Sequence, residues 1–289
     1  MLMNDQTPAI REVNTLTLPE TSATSIASAG PPMPSHVQAR QVTRTFGSTR
    51  ALGPVDLDIR PGEFVSIVGP SGCGKSTLLE LVAGLQVPSS GSVRVGDTPM
   101  QRPREHTAII FQDSATLPWR TVLDNVAFPL EVRGVPRSER RERAAALLDK
   151  VGLAGFASHH PSQLSGGMRQ RVAIARALIM DPDLILADEP FGALDEQTRL
   201  LMAFELLAVV ERLEAAVLFI THSIQEAVLL SDRVLVMSAR PGTFLDEIPI
   251  DLPRPRAEDT LTKPTAIEAT ERIWSTLREQ ASTSMRSLS

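Results

Sequence analysis

Short, nearly unbroken apolar runs punctuate the middle of the chain: FVSIVG (64–69), TAIIFQ (107–112), LILADE (184–189), AVLFITH (216–222) and RVLVMS (233–238). Each reads as a strand buried on both faces. Helical stretches follow several of them, among them KSTLLELVAGL after the first. Buried strands alternating with helices predict an α/β core around a mostly parallel sheet, in a body running from about 37 to 253. Residues from about 114 to 165 break that rhythm. RSERRERAAALLDKVG places Ala144, Leu147, Leu148 and Val151 at helical spacing, which predicts a helical insertion. Its Arg137, Arg140, Arg141 and Arg143 read as a solvated face, with Glu139 and Arg143 spaced to pair on one helix.

Two flanking segments differ again. Residues 1–36 are rich in Ser, Thr, Pro and Ala and show no period, which predicts a disordered extension. Residues 254–289 form a tail with a helical pattern, TAIEATERIWSTLREQ, whose Ile267, Ile273, Trp274 and Leu277 are expected to make one apolar stripe packed on the body.

Composition narrows the class. A net charge of −5 over 289 residues argues against nucleic acid as a partner. One cysteine, Cys73, permits no internal disulfide and fits a reducing compartment. The longest apolar stretch, residues 206–220, is interrupted by Glu211, Arg212 and Glu214, so no span of about 18 apolar residues exists. The first residues lack the basic start and apolar core of a signal peptide, and Asp5, Glu12 and Glu20 argue against an organelle transit peptide.

The candidate chemistry lies at the ends of the apolar runs. GPSGCGKS (69–76) has the P-loop spacing, between a strand and a helix. Gly69, Gly72 and Gly74 let the backbone wrap a phosphate with its N–H groups inward, alongside Pro70, Ser71, Cys73 and Thr77. Lys75 supplies a charge for the β- and γ-phosphates, and Ser76 a hydroxyl for Mg²⁺. Cys73 has no catalytic role in this reading. LILADEP then offers Asp188 as a metal holder through water and Glu189 as the group that polarises the attacking water. The guanine-reading N-K-x-D is missing, which excludes the usual GTPase reading. A second anion-reading helix start, LSGGMRQ (164–170), stands apart, with Ser165 as N-cap before Gly166 and Gly167.

The order P-loop, Gln112, LSGGMRQ, LILADEP, FGALD, His222 resembles the ATP-binding-cassette (ABC) ATPases over about residues 37–250. The resemblance implies the P-loop NTPase fold of that family, with an antiparallel β part and a helical insertion, and it implies ATP and Mg²⁺. It also implies a head-to-tail pair of chains, in which the Ser165–Gly166–Gly167 helix end reads the nucleotide on the other chain's P-loop. Gln112 then contacts Mg²⁺ or the attacking water, His222 the γ-phosphate, and Asp195 crosses the interface, while Phe46 stacks on adenine. Met168 stands where the family often has Gln, but the Ser and both Gly are intact.

The pattern Leu117, Pro118, Trp119, Val122, Asn125, Val126 and the stretch at 237–256 are similar to the importer subgroup for nitrate, sulfonate and taurine. That implies integral-membrane permease subunits as partners, a solute-binding protein indirectly, and a peripheral place on the cytoplasmic face of the inner (plasma) membrane. Trp119 is either an exposed anchor for the permease or part of the insertion's own core. Two other classes remain: a soluble ABC ATPase with a non-transport role, and a binding module without activity.

Overall fold

The computed structural model describes residues 35–286. Apart from Ser35 and His36, the extension expected over residues 1–36 lies outside the described residues. In chain order the elements are β1 (Val37–Phe46), β2 (Thr49–Ile59), β3 (Phe64–Val68), α1 (Lys75–Val82), β4 (Ser90–Val95), β5 (Thr98–Pro99) and β6 (Thr107–Ile110). The insertion follows as α2 (Val122–Val132) and α3 (Arg137–Lys150). Then come α4 (Gly166–Leu178), β7 (Leu184–Asp188), α5 (Glu196–Leu213), β8 (Ala216–Ile220), α6 (Ile224–Leu230), β9 (Arg233–Met237), β10 (Phe244–Pro249) and α7 (Pro264–Arg286).

Two sheets form the body. One is antiparallel, in the order β2-β1-β4-β5. The other runs β10-β9-β3-β8-β7-β6 and is parallel throughout except for β10. Alternate residues of its strands feed opposite cores, as a pleat of period two requires. Val217 and Phe219 pack with the insertion and α5, while Leu218 and Ile220 pack with α1 and the antiparallel sheet. Phe64, Phe219 and Phe191 stack with centroids 5.6 and 5.7 Å apart.

Each expected strand ends one or two residues early. The chain leaves the ladder just before or at Gly69, Gln112, Glu189, His222 and Ser238. Four of these residues are sequence-predicted site residues, all on one edge of the sheet, where open α/β sheets bind ligands.

Three expectations on the helices need correction. Arg143 does not pair with Glu139; it donates to Asp181 and to the Ile179 carbonyl, each at 2.9 Å, and so ties α3 to the end of α4. Arg140 and Arg141 are likewise held, by Glu131 and Asp124, so the basic face is largely consumed in ties between elements. On α7 the seated stripe is Ala266, Ala269 and Ile273, with Leu277 partly buried, whereas Ile267 and Trp274 are exposed. Small residues let the helix approach α6 and β9 closely, and that turns the larger Trp274 outward.

Candidate functional site

β3 delivers the chain into the loop 69–74, and α1 begins at Lys75. Gly72 and Gly74 hold φ of +72° and +110°, which an L side chain rarely adopts. Gly69 is fixed by space instead, since a methyl there would lie 2.8 Å from the Met237 carbonyl oxygen. α1 has no side-chain cap. Its ladder starts with Leu78 N–H to the Gly74 carbonyl at 2.9 Å, so the amides before it have no helical acceptor. The buried Lys75 ammonium donates to the carbonyls of Gly69 (2.8 Å) and Pro70 (2.9 Å), with Cys73 Sγ at 3.8 Å. Ser71 is exposed and Thr77 half-buried.

Opposite the loop, the Ser76 hydroxyl is close enough to the Asp188 carboxylate to favour its ionised form. Glu189 leaves the strand at φ +45°, anchored by its N–H to the Ile220 carbonyl at 2.9 Å. Its carboxylate accepts from Gln112 Nε2 at 3.4 Å and lies 3.1 Å from His222 Nδ1. The ends of β6, β7 and β8 thus bring together Gln112, Glu189 and His222. A carboxylate between an amide and an imidazole is equipped to orient a water and accept its proton.

The second helix start is built differently. Ser165 caps α4 by accepting from Met168 N–H at 3.2 Å. A methyl on Gly166 would meet only Arg169 Nη2, at 3.9 Å; one on Gly167 would meet Leu194 Cδ2 at 3.2 Å and the Ala193 oxygen at 3.4 Å. The atoms nearest the glycines at the two helix starts thus come from different residues: Ala193, Leu194 and Arg169 at α4, and Met237, Cys73, Arg240, Ala51 and Leu52 at the P-loop. Asp195 caps α5: the Thr198 N–H (3.0 Å) and hydroxyl (2.7 Å) donate to it and hold its carboxyl below the usual range. Phe46 is exposed at the tip of the β1–β2 hairpin, with the Arg44 guanidinium 4.7 Å from its ring centroid.

The family described as ABC transporter matches residues 52–192. An aliphatic sulfonates import ATP-binding protein of Burkholderia lata is 45% identical, over 82% of this chain and 85% of that protein. A nitrate import ATP-binding protein of Synechocystis is 46% identical, over 75% and 84%. A taurine import ATP-binding protein of Yersinia pestis is 46% identical, over 72% and 82%. The chain belongs to the ABC transporter family of ATP-binding proteins. The members of this family are ATPases coupled to transport. A solved dimeric ATP-binding cassette, in a post-hydrolysis state with ADP and Pi, superposes with a TM-score of 0.67 at 36% identity. The match covers 74% of this chain and 98% of that one.

Against this ABC frame the metal-side residues fit a magnesium ion. Burial, with help from the Glu189 charge, pushes the Asp188 carboxyl up, while Ser76 and Lys75 pull the other way. A cation between Ser76 and Asp188 would favour the ionised form. One hydroxyl and one carboxylate beside phosphates are the few protein ligands Mg²⁺ takes.

The insertion explains its own motif. Asn125 is fully buried, and its amide donates to the carbonyls of Leu117, Arg120 and Thr121 at 3.0–3.1 Å. Its oxygen accepts from Leu117 N–H at 2.7 Å. Val122 and Val126 fill the core beneath. The turn they fix holds Trp119 at 72% exposure, which removes it from the insertion's own core. α4 braces the same loop: Gln170 donates to the Phe111 carbonyl at 3.1 Å, and Arg176 to those of Ala115 (2.8 Å) and Ser114 (3.0 Å).

Sequence reasoning missed Arg240, which donates to the Gly72 carbonyl from two nitrogens at 3.1 and 2.9 Å and sets the P-loop turn. It also missed Gln170 and Arg176. They lie on α4 three and nine positions after Gly167, and their partners Phe111, Ser114 and Ala115 are about 60 positions away, so no local pattern marked them.

Proposed function

We propose that this chain is the ATP-hydrolysing subunit of an importer for a small anion such as nitrate, an aliphatic sulfonate or taurine. It works as a head-to-tail pair of copies on the cytoplasmic face of the plasma membrane, docked to a separate permease that a solute-binding protein supplies. The observation that carries the reading is the separation of the two anion-reading helix ends. The P-loop end has its own lysine and catalytic carboxylate, while the α4 end has neither and stands open at Gly166. One chain therefore holds half of each of two sites. The dimeric solved relative supports this, and the names of the sequence relatives support the solute class.

In this mechanism the residue 69–76 cradle binds the phosphates, and Lys75 shifts from its two loop carbonyls to the phosphate oxygens. Ser76, Gln112 and, through water, Asp188 would hold Mg²⁺, which would supply charge neutralisation. Glu189 orients the attacking water and takes its proton, steadied by Gln112 and His222. Phe46 offers a ring face to adenine, and Asp195 lies where the partner chain closes. Ser165, Gly166 and Gly167 present N–H groups and a positive helix end to the γ-phosphate on the partner. Trp119, rigidly displayed, is the anchor for a permease helix. Because α4 grips the loop at Phe111, Ser114 and Ala115, closure of the pair moves that anchor.

The test is deletion of this chain in its host, followed by uptake of labelled nitrate, taurine and ethanesulfonate. Loss of one of these, restored by the wild-type chain and not by Glu189→Gln, is the expected result. Unchanged uptake of all three overturns the importer reading.

A further inference from the structure

SIQE (223–226) has the spacing of a capping box, in which the Glu carboxylate returns to the Ser backbone N–H. The structure departs from that. Ser223 does cap α6, accepting from Glu226 N–H at 3.3 Å, but the Ser223 N–H goes to Thr221 Oγ1 at 3.0 Å. The Thr221 hydroxyl donates in turn to Glu226 Oε2 at 2.6 Å. Arg199 Nε, on α5, lies 3.5 Å from Glu226 Oε1. Released from its local role, the Glu226 carboxylate is buried between two loops, and that burial pushes its acid up against the pull of Thr221 and Arg199.

The two ends of this bridge reach different places. Thr221 is buried and precedes His222, which contacts Glu189. Arg199 donates from Nη2 to the Leu194 carbonyl at 3.1 Å, just before Asp195. Leu194 lies against Gly167 at the start of α4. Contacts therefore run without a gap from the hydrolytic cluster beside this chain's own P-loop to the helix end assigned to the partner's nucleotide. The Glu226 carboxylate is buried and Arg199 partly exposed, and the pair is an ion-pair contact without a hydrogen bond. Such a pair adds little stability, and its best-attested use is to fix one arrangement against another.

We infer that the Glu226–Arg199 pair couples the two nucleotide sites, setting the loop before His222 and the loop before Asp195 in one shared geometry. The inference rests on the shared-site reading above. Both are positioning residues: neither touches nucleotide, and both act through His222 and through Leu194 and Gly167. Thr221 is the third member, since its hydroxyl joins the pair to the His222 loop. Coupling of this kind is a free energy between sites, and a double-mutant cycle reads it.

The experiment uses the full chain, with ATP hydrolysis followed against ATP concentration for wild type, Glu226→Gln, Arg199→Gln and the double variant. ADP affinity by calorimetry is measured alongside. The wild type is expected to respond sigmoidally. Each single variant should lose about fivefold in kcat and fall to a Hill coefficient of one, with ADP affinity unchanged. The double variant should be no worse than the worse single. Unchanged kcat and cooperativity in Glu226→Gln overturn the inference, as do additive losses in the double variant. Lost ADP affinity also overturns it, since the pair would then only hold the fold. Wild type that is non-cooperative, and that never pairs in the Glu189→Gln form with ATP, overturns the shared-site reading and the inference with it.

Discussion

The two glycine-bearing helix starts, to which the proposal assigns one anion-reading chemistry, are built differently. At α1 an uncapped glycine backbone is braced by side chains from elsewhere in the chain. Gly74 sits left-handed without a side-chain cap, Met237 and Ala51 crowd the loop, Arg240 pins Gly72, and Lys75 waits on two carbonyls. At α4 a serine in ordinary extended geometry caps the helix, and the space over Gly166 is open. In the proposed mechanism the first end is a receptor held by its own chain, and the second is a surface presented to the partner's nucleotide. The difference teaches that substitutions at α1 should act on binding, and substitutions at α4 on what happens after binding.

The largest effects should divide along that line. Lys75→Ala is expected to lower hydrolysis by about a thousandfold and to weaken ATP binding in calorimetry, because it removes the fixed charge at the phosphates. Ser165→Arg should lower hydrolysis by about a hundredfold while leaving ADP affinity of the single chain within about twofold. If Ser165→Arg instead lost nucleotide affinity as Lys75→Ala does, both ends would serve the same nucleotide and the contrast would vanish.

Smaller effects sharpen it. The same change, Gly to Ala, should have opposite signs at the two ends. Gly69→Ala drives a methyl to 2.8 Å from a backbone oxygen and should cost about 1–3 kcal/mol in denaturant unfolding. Gly166→Ala meets nothing closer than 3.9 Å and should gain about 0.5 kcal/mol from reduced chain entropy, while slowing hydrolysis. Last, Ser165→Ala removes the α4 cap and should cost about 1 kcal/mol, a fall in melting temperature of about 2–4 °C.

Much of this was open to sequence reading because the chemistry is local. The P-loop, Asp188–Glu189 and Ser165–Gly167 each occupy a few adjacent residues whose types and order make a recognisable motif. The parallel strands were legible because both faces are buried, which leaves a continuous apolar signal. The antiparallel sheet was implied by the family resemblance and not by the apolar pattern. β1 pairs with β2 through register shifts between Ala39 and Val42, Val42 and Arg44, and Arg44 and Thr45, and such bulges destroy the alternation that would mark a strand. Asn125 and Glu226 show a second limit. Asn125 stood out only as a letter in a pattern, since its four hydrogen bonds reach across a turn. Glu226 sat in a capping-box spacing that pointed to the wrong partner; Arg199, 27 positions away along the chain, claims it in space. Trp274 fell to the same cause, because the helix face that seats is chosen by what it packs on.

The most direct measurement is the mass in solution of the Glu189→Gln chain with ATP, by light scattering on a sizing column. The account predicts a species of twice the 31.3 kDa of one chain, which returns to the single mass when Ser165→Arg is added. A Glu189→Gln chain that binds ATP and stays at the single mass, alone and with its permease, would contradict it.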